Sequence, residues 1–104
     1  MTKLSDAQIN IMVCKKLGLG LSSYVRIITQ DDATILLDDN KTLVDYCNNP
    51  VDAWPIIVEN RINIEWHEWK NGIFRPYALN NETMKSCYDT NPLRAAMIVF
   101  LEMQ

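Results

Sequence analysis

The chain has 104 residues, of which 48% are hydrophobic and 22% are charged, with 10 Lys and Arg against 13 Asp and Glu. This length fits one domain and leaves no room for two independent cores, so we expect a single domain over residues 1–104. The apolar fraction is typical of a globular protein, and the charged fraction is too low for a disordered chain. A net charge of −3 argues against a nucleic-acid-binding protein driven by bulk charge, because such domains carry a strong basic excess.

Capping signals predict a first helix over residues 6–17. Ser5 is a favourable N-cap, and Gln8 stands three residues later, where its side chain can return a hydrogen bond to the Ser5 backbone. Gly18 can end the helix in the left-handed conformation. Four apolar residues recur at helical spacing and predict the buried stripe: Ile9, Met12, Val13 and Leu17.

The next part of the chain reads as short strands joined by acidic turns. Residues 24–29 are rich in β-branched and aromatic side chains, which predicts a strand. We expect residues 34–37 to form its antiparallel partner, followed by a short extended piece at 42–46. The acidic pairs at 31–32 and 38–39 do not have the spacing of a calcium loop, so they predict solvated turn carboxylates.

Two later helices are predicted to begin with the same pair of residues, Asn followed by Pro: Asn49-Pro50 and Asn91-Pro92. In both places Asn can cap the helix, and Pro fits the first helical position, where its missing N–H costs nothing. The first of these helices is expected over residues 50–60. Pro55 removes one backbone hydrogen bond inside it and should bend it.

A β-hairpin is predicted over residues 62–79, because Asn71-Gly72 is the preferred pair for a two-residue type I′ turn. This turn opposes four pairs of side chains: Lys70 with Ile73, Trp69 with Phe74, Glu68 with Arg75, and Trp66 with Tyr77. The same register places one set of apolar side chains on the core face: Ile62, Ile64, Trp66, Tyr77 and Leu79. The polar face then carries Asn63, Glu65 and His67. A short edge strand is expected within residues 83–88.

The C-terminal helix is apolar on nearly every side, since its only polar residues between positions 93 and 103 are Arg94 and Glu102. A helix of this kind is covered either by its own domain or by a partner. Because full self-coverage is hard in a chain of this length, we expect a homodimer through this helix, with Ile98 and Val99 in the interface. The elements together predict an α+β domain with three helices packed on a mainly antiparallel sheet, in the order α-β-β-α-β-β-α.

No residue pattern indicates a reaction centre. His67 is the only histidine, and a solvated histidine beside Glu65 and Glu68 is favoured over a catalytic one. Cys47 precedes a predicted helix N-terminus, where a thiolate would be stabilised, but a buried inert thiol is the favoured interpretation. The cysteine spacing fits neither a disulfide framework nor a zinc site, although it leaves a pair between Cys47 and Cys87 open. We therefore predict no catalytic residue, no cofactor and no metal.

The hairpin carries an unusual density of aromatic side chains. Together with Trp54 and Tyr77 they could form a stacking platform for single-stranded nucleic acid, but few basic residues accompany them, and core and cross-strand packing is favoured. The hairpin residues are also candidates for contacting a partner: Trp66, Trp69, Phe74 and Arg75.

Three long runs carry a resemblance: YCNNP at 46–50, DAWPIIVEN at 52–60 and NPLRAAMIVFL at 91–101. They resemble the NinX-like family of small phage and prophage proteins. Their motif residues are interpreted as helix caps, a bend and helix core: Asn49, Pro50, Trp54, Pro55, Asn91 and Pro92. The resemblance implies an accessory role in the phage life cycle, in the cytoplasm of a bacterial host, and carries over no catalytic residue.

The leading hypothesis is a non-enzymatic accessory protein that binds a host or phage protein, one version being interference with a host defence or regulatory protein. The longest apolar run, residues 95–101, is far shorter than the roughly 20 residues of a spanning helix, so no membrane contact is expected. Two alternatives stay open. One is a single-stranded nucleic-acid-processing accessory that uses the aromatic hairpin, and the other is a small-ligand or nucleotide binder or hydrolase near Cys47 and His67.

Overall fold

A computed structural model describes residues 4–22 and 33–103. The helices are α1 (Asp6–Lys16), α2 (Pro50–Glu59) and α3 (Pro92–Glu102), and the strands are β1 (Ile35–Leu36), β2 (Leu43–Val44), β3 (Ile62–Lys70), β4 (Ile73–Asn80) and β5 (Lys85–Tyr88). β1 and β2 form a two-stranded antiparallel sheet, and β3, β4 and β5 form a three-stranded antiparallel sheet in that order. The α+β class is confirmed, and β5 extends the element order to α-β-β-α-β-β-β-α.

The first small sheet forms between two of the predicted extended segments. Ile35 pairs with Val44 and Leu36 with Leu43, which places β1 and β2 inside the segments predicted at 34–37 and 42–46. The strand predicted at 24–29 lies outside the described residues. In the intervening turn the Asp39 carboxylate accepts hydrogen bonds from the backbone and hydroxyl of Thr42, which lower the pKa of this exposed carboxyl.

All three helices begin as their sequences predict. At α1 the Ser5 hydroxyl accepts the Gln8 N–H at 3.1 Å, and the Gln8 side chain accepts the Ser5 N–H at 2.8 Å, which completes the capping box. At α2 the side chain of Asn49 accepts the N–H of Val51 at 3.0 Å. At α3 the side chain of Asn91 accepts two backbone N–H groups of the first turn. Helix starts depend on neighbouring residues alone, which explains why the sequence predicts them correctly.

The buried face of α1 differs from the predicted stripe. Ile9 and Val13 are buried as expected, but Met12 and Leu17 are exposed. Asn10 and Cys14 complete the buried face instead. Gly18 ends the helix at a φ of +79°, in the left-handed region that glycine adopts without strain.

Helix α3 lies at the centre of the domain. It packs against α1, α2 and all three strands of the larger sheet. Every residue from 95 to 100 is buried, and both Ile98 and Val99 are 0% exposed within the single chain. The expectation that α3 forms a homodimer interface through these two residues was therefore wrong, because the domain itself covers residues 95–100 of the helix.

A β-bulge near the turn changes the predicted register of the hairpin. Asn71 and Gly72 both have positive φ, as a type I′ turn requires, and the predicted pair of Lys70 with Ile73 forms. The register then shifts between Glu68 and Lys70. The observed pairs are Glu68 with Phe74, His67 with Arg75, Trp66 with Pro76 and Glu65 with Tyr77. The predicted pairs of Trp69 with Phe74, Glu68 with Arg75 and Trp66 with Tyr77 were wrong.

The bulge also exchanges the faces of β4, because a shift of one residue turns every later side chain to the other side of the sheet. Ala78, Pro76 and Asn80 lie on the buried face, opposite Ile64, Trp66 and Ile62. Tyr77 and Leu79, predicted on the core face, lie on the other one, which we call the outer face.

The central position of α3 generates a stability prediction. Replacing Ile98 by Ala should lower the free energy of unfolding by about 2–5 kcal/mol, because it leaves a cavity in the fully buried core. The matched control is Val51→Ala on α2, where the side chain is 77% exposed and the expected change is within about 0.5 kcal/mol. Urea unfolding followed by circular dichroism measures both. A small effect of Ile98→Ala would contradict the buried position of α3.

Candidate functional site

The peptide groups of Cys47 form the centre of a polar junction between the helices. The side-chain oxygen of Asn10, on α1, accepts the N–H of Cys47 at 3.1 Å. The side-chain amide of Asn91, the N-cap of α3, donates to the Cys47 carbonyl at 2.7 Å. Two asparagines far apart in sequence therefore hold the same buried residue by its backbone.

Charged and amide side chains extend this junction to the N-terminus of α1. Asn48 donates to Asp6 at 3.1 Å and also bonds Asp45, whose carboxylate accepts the Asn10 amide at 2.9 Å. Arg94 donates to Asp6 at 2.5 Å and to Asp89 at 3.1 Å. These bonds connect the first turns of α1 and α3 to the loop before α2.

Arg94 is the charged anchor of the junction. Its side chain is only 11% exposed. Burial alone would lower the pKa of this guanidinium, but the hydrogen bonds and charges of Asp6 and Asp89 outweigh that effect and raise the pKa. Removing either carboxylate would therefore leave a poorly compensated buried charge.

The Cys47 thiol has no access to solvent. Its side chain is 0% exposed, and burial, followed by the charge of Asp6, raises its pKa to about 12. A thiol held in its protonated form inside the core is a poor nucleophile. Cys14 and Cys87 are buried and free as well, so the pair between Cys47 and Cys87 that the sequence left open does not form.

His67 lies in a second cluster, on the outer face of the larger sheet. Its Nε2 lies 2.9 Å from a carboxylate oxygen of Glu65, and its Nδ1 lies 2.7 Å from the hydroxyl of Tyr88. A carboxylate only accepts, so Nε2 donates; in a neutral ring Nδ1 then accepts the Tyr88 proton. The ring also stacks on Tyr77, with centroids 4.5 Å apart.

A small cleft opens beside this cluster. It has a volume of about 240 Å³ and is lined by His67, Glu68, Trp69, Arg75 and Tyr88. The guanidinium of Arg75 lies over the Trp69 ring, 5.2 Å from its centroid, in a cation–π contact. Within the described residues there is no group of three or more His, Cys, Asp or Glu side chains placed to hold a metal ion.

Large apolar side chains crowd the turn end of the hairpin. We call Trp66, Trp69, Ile73 and Phe74 the hairpin tip patch; they are 59%, 63%, 55% and 55% exposed. They line a hollow of about 380 Å³ together with Arg75, Pro76 and Thr90. The patch therefore brings together Trp66, Trp69, Phe74 and Arg75, four residues that the sequence singled out.

The structure separates the other predicted candidates. Cys47 is bonded to residues of the helix junction, whereas His67 is bonded to residues of the sheet face, so the two do not share a cluster. The sequence missed Tyr88 as the partner of His67, because the bulge decides which β4 and β5 residues share that face. It also missed Asn10, although its position one turn before Cys14 places it on the buried face of α1.

A protein-family model described as bacteriophage P22, NinX, matches residues 1–104. The chain belongs to this family. The comparison with curated proteins found no match, and neither did the comparison with solved structures. Membership of the NinX family makes this a phage accessory protein and confirms the resemblance seen in the sequence. None of the helices in the described parts of the NinX-family chain has the length and apolar character needed to cross a bilayer.

The buried thiols generate a prediction for alkaline pH. The pKa of Cys47 is raised to about 12 and that of Cys87 to about 11, from an ordinary value of 9.0. The folded chain therefore keeps protons that the unfolded chain releases, so stability that is fully present below pH 9 is lost as the pH rises toward 11 and 12.

Urea midpoints measured from about pH 8 to about pH 10.5 should fall for the wild-type chain, and the fall should be shallower for Cys47→Ala. Identical slopes in the two proteins would contradict the protonated, buried state of the Cys47 thiol.

Proposed function

We propose that this chain is a non-enzymatic phage accessory protein that binds a host or phage protein through the hairpin tip patch. The observation that carries the proposal is the exposure of four large apolar side chains, each more than half accessible, at one end of a regular hairpin. Contiguous apolar surface of this kind is costly to leave in water and marks interaction sites. The site of action that fits a phage protein of this family is the cytoplasm of the bacterial host.

The composition of the patch suits a protein partner. Trp and Arg are enriched among the residues that dominate binding energy at protein interfaces, and here Trp66 and Trp69 lie beside Arg75. The hairpin holds them on paired strands, so little conformational entropy is lost when a partner binds. Interference with a host defence or regulatory protein is one form that this binding would take.

The nucleic-acid alternative receives less support from the charges around the patch. Arg75 lies there, but Glu68 lines the adjacent cleft with Trp69 and Arg75, and a single-strand site needs a basic groove beside its aromatic platform. A catalytic role has two weaknesses: the Cys47 thiol is buried, and both ring nitrogens of His67 are already hydrogen-bonded.

The test is affinity capture from a lysate of phage-infected host cells with three versions of the chain. The wild type is compared with the double variant Trp69→Ala, Phe74→Ala and with the control Trp54→Ala, whose side chain is 60% exposed on α2. We expect a protein that the wild type and the control both retain and that the tip variant loses.

The binding of that protein, once purified, should weaken by roughly 1,000-fold in the double tip variant, because two residues of this kind contribute roughly 2 kcal/mol each. Equal binding to all three versions would overturn the proposal. Titration with a labelled single-stranded oligonucleotide at several salt concentrations tests the alternative: tight, steeply salt-dependent binding lost in the tip variant would replace the protein partner by nucleic acid.

A further inference from the structure

Strand β3 has an edge that no described strand covers. It is the first strand of the three-stranded sheet, and β4 is its one neighbour among the described residues. It spans nine residues, Ile62–Lys70, which is long for an edge strand. An uncovered edge offers a row of backbone N–H and C=O groups that pair readily with another strand.

A large apolar side chain stands in the middle of this edge strand, between Glu65 and His67. Trp66 stands at its midpoint and is 59% exposed. Exposed edge strands are normally protected by Pro, charged side chains, bulges or shortness; β3 is long and has no Pro, but it carries Glu65 and Glu68. The bulge at Trp69 interrupts the ladder near the turn and leaves residues 62–68 regular.

We propose that a second copy of this chain pairs with β3 through an antiparallel β3–β3 contact centred on Trp66. The pairing joins the two three-stranded sheets into one six-stranded sheet, with Trp66 of each copy facing Trp66 of the other. The pairing rests on the backbone edge of β3 and not on the proposed function, and of the hairpin tip patch it covers Trp66.

The charges along β3 favour this register over the one centred on Glu65. In an antiparallel pair, directly opposed residues point to the same face of the sheet. A two-fold axis perpendicular to the sheet therefore lies between the two copies of one residue, which oppose each other. Within the regular stretch, an axis at Trp66 opposes Glu65 of one copy to His67 of the other, twice, and Ile64 to Glu68. An axis at Glu65 would oppose two glutamates directly, which is destabilising.

The Trp66-centred pairing also continues contacts that each copy already makes. Within one chain His67 accepts the Tyr88 proton and bonds Glu65 at 2.9 Å, all on the outer face. In the pair, the Glu65 of the second copy faces the same imidazole. Two carboxylates and two imidazoles then alternate on one face, so that no carboxylate directly opposes another.

Sedimentation velocity of the full chain tests the proposal. We expect the wild type to form a dimer at high micromolar concentration and to dissociate on dilution. His67→Glu puts a glutamate opposite Glu65 and should raise the dimer dissociation constant tenfold or more. The exchange Glu65→His with His67→Glu restores opposite partners and should restore the dimer, whereas the control Ser86→Glu, on the far edge strand β5, should leave it unchanged.

A disulfide experiment tests the register. Trp66→Cys should give a covalent dimer under mild oxidation, because the two new thiols oppose each other, and the three native thiols are buried. Asn63→Cys should not, since the two copies of position 63 lie on either side of the axis and roughly 20 Å apart, at about 3.4 Å per residue. Circular dichroism checks that each variant is folded. A wild type that stays monomeric, a His67→Glu dimer as tight as the wild type, or equal cross-linking at both positions would overturn the proposal.

Discussion

The backbone of Cys47 is held from two sides, by the side-chain oxygen of Asn10 at its N–H and by the side-chain amide of Asn91 at its carbonyl. Both asparagines are committed at their other ends as well: Asn10 donates to Asp45 and to the carbonyl of Ala33, and Asn91 caps α3. A buried peptide group without hydrogen-bond partners would cost about 1–3 kcal/mol. The loop before α2 is therefore stable in this position only because side chains of α1 and of the N-cap of α3 supply those partners. The rest of the core is arranged around that meeting point.

This arrangement gives the motif residues of the NinX family a structural meaning. The run YCNNP supplies the loop, and the pairs Asn49-Pro50 and Asn91-Pro92 start the two later helices. Arg94 then ties α3 to Asp6 at the start of α1. The exposed aromatic side chains of the hairpin lie away from this junction, on β3 and at the turn. The chain thus separates a junction that maintains the fold from a hairpin surface available for binding.

The sequence predicts what local interactions decide. The capping box at Ser5, the two Asn-Pro starts and the turn at Asn71-Gly72 all form, because each depends on residues a few positions apart. The sequence does not predict interactions between segments that are far apart along the chain. The bulge at Trp69 shifts the whole hairpin register, with Glu68 accepting the N–H of Gly72 instead of facing Arg75. The coverage of α3 by α1, α2 and the sheet likewise follows from packing that no periodicity shows.

Of the candidate site, the sequence predicts the residue types but not their neighbours. Trp66, Trp69, Phe74 and Arg75 do lie together, whereas the contact of His67 with Tyr88 depends on the order of β3, β4 and β5. Paired strands bring together side chains that are distant in sequence, and the sequence distance between them does not show that they are in contact.

A double-mutant cycle on Asn10 and Asn91 tests the central claim most directly. The two side chains bind the same residue from opposite sides, so Asn10→Ala should release the loop and remove part of what Asn91 stabilises. Urea unfolding of the wild type, both single variants and the double variant should show a coupling of about 1 kcal/mol or more. Effects that add to within about 0.3 kcal/mol would show that the two asparagines act independently and that Cys47 is not the common point of the helix junction.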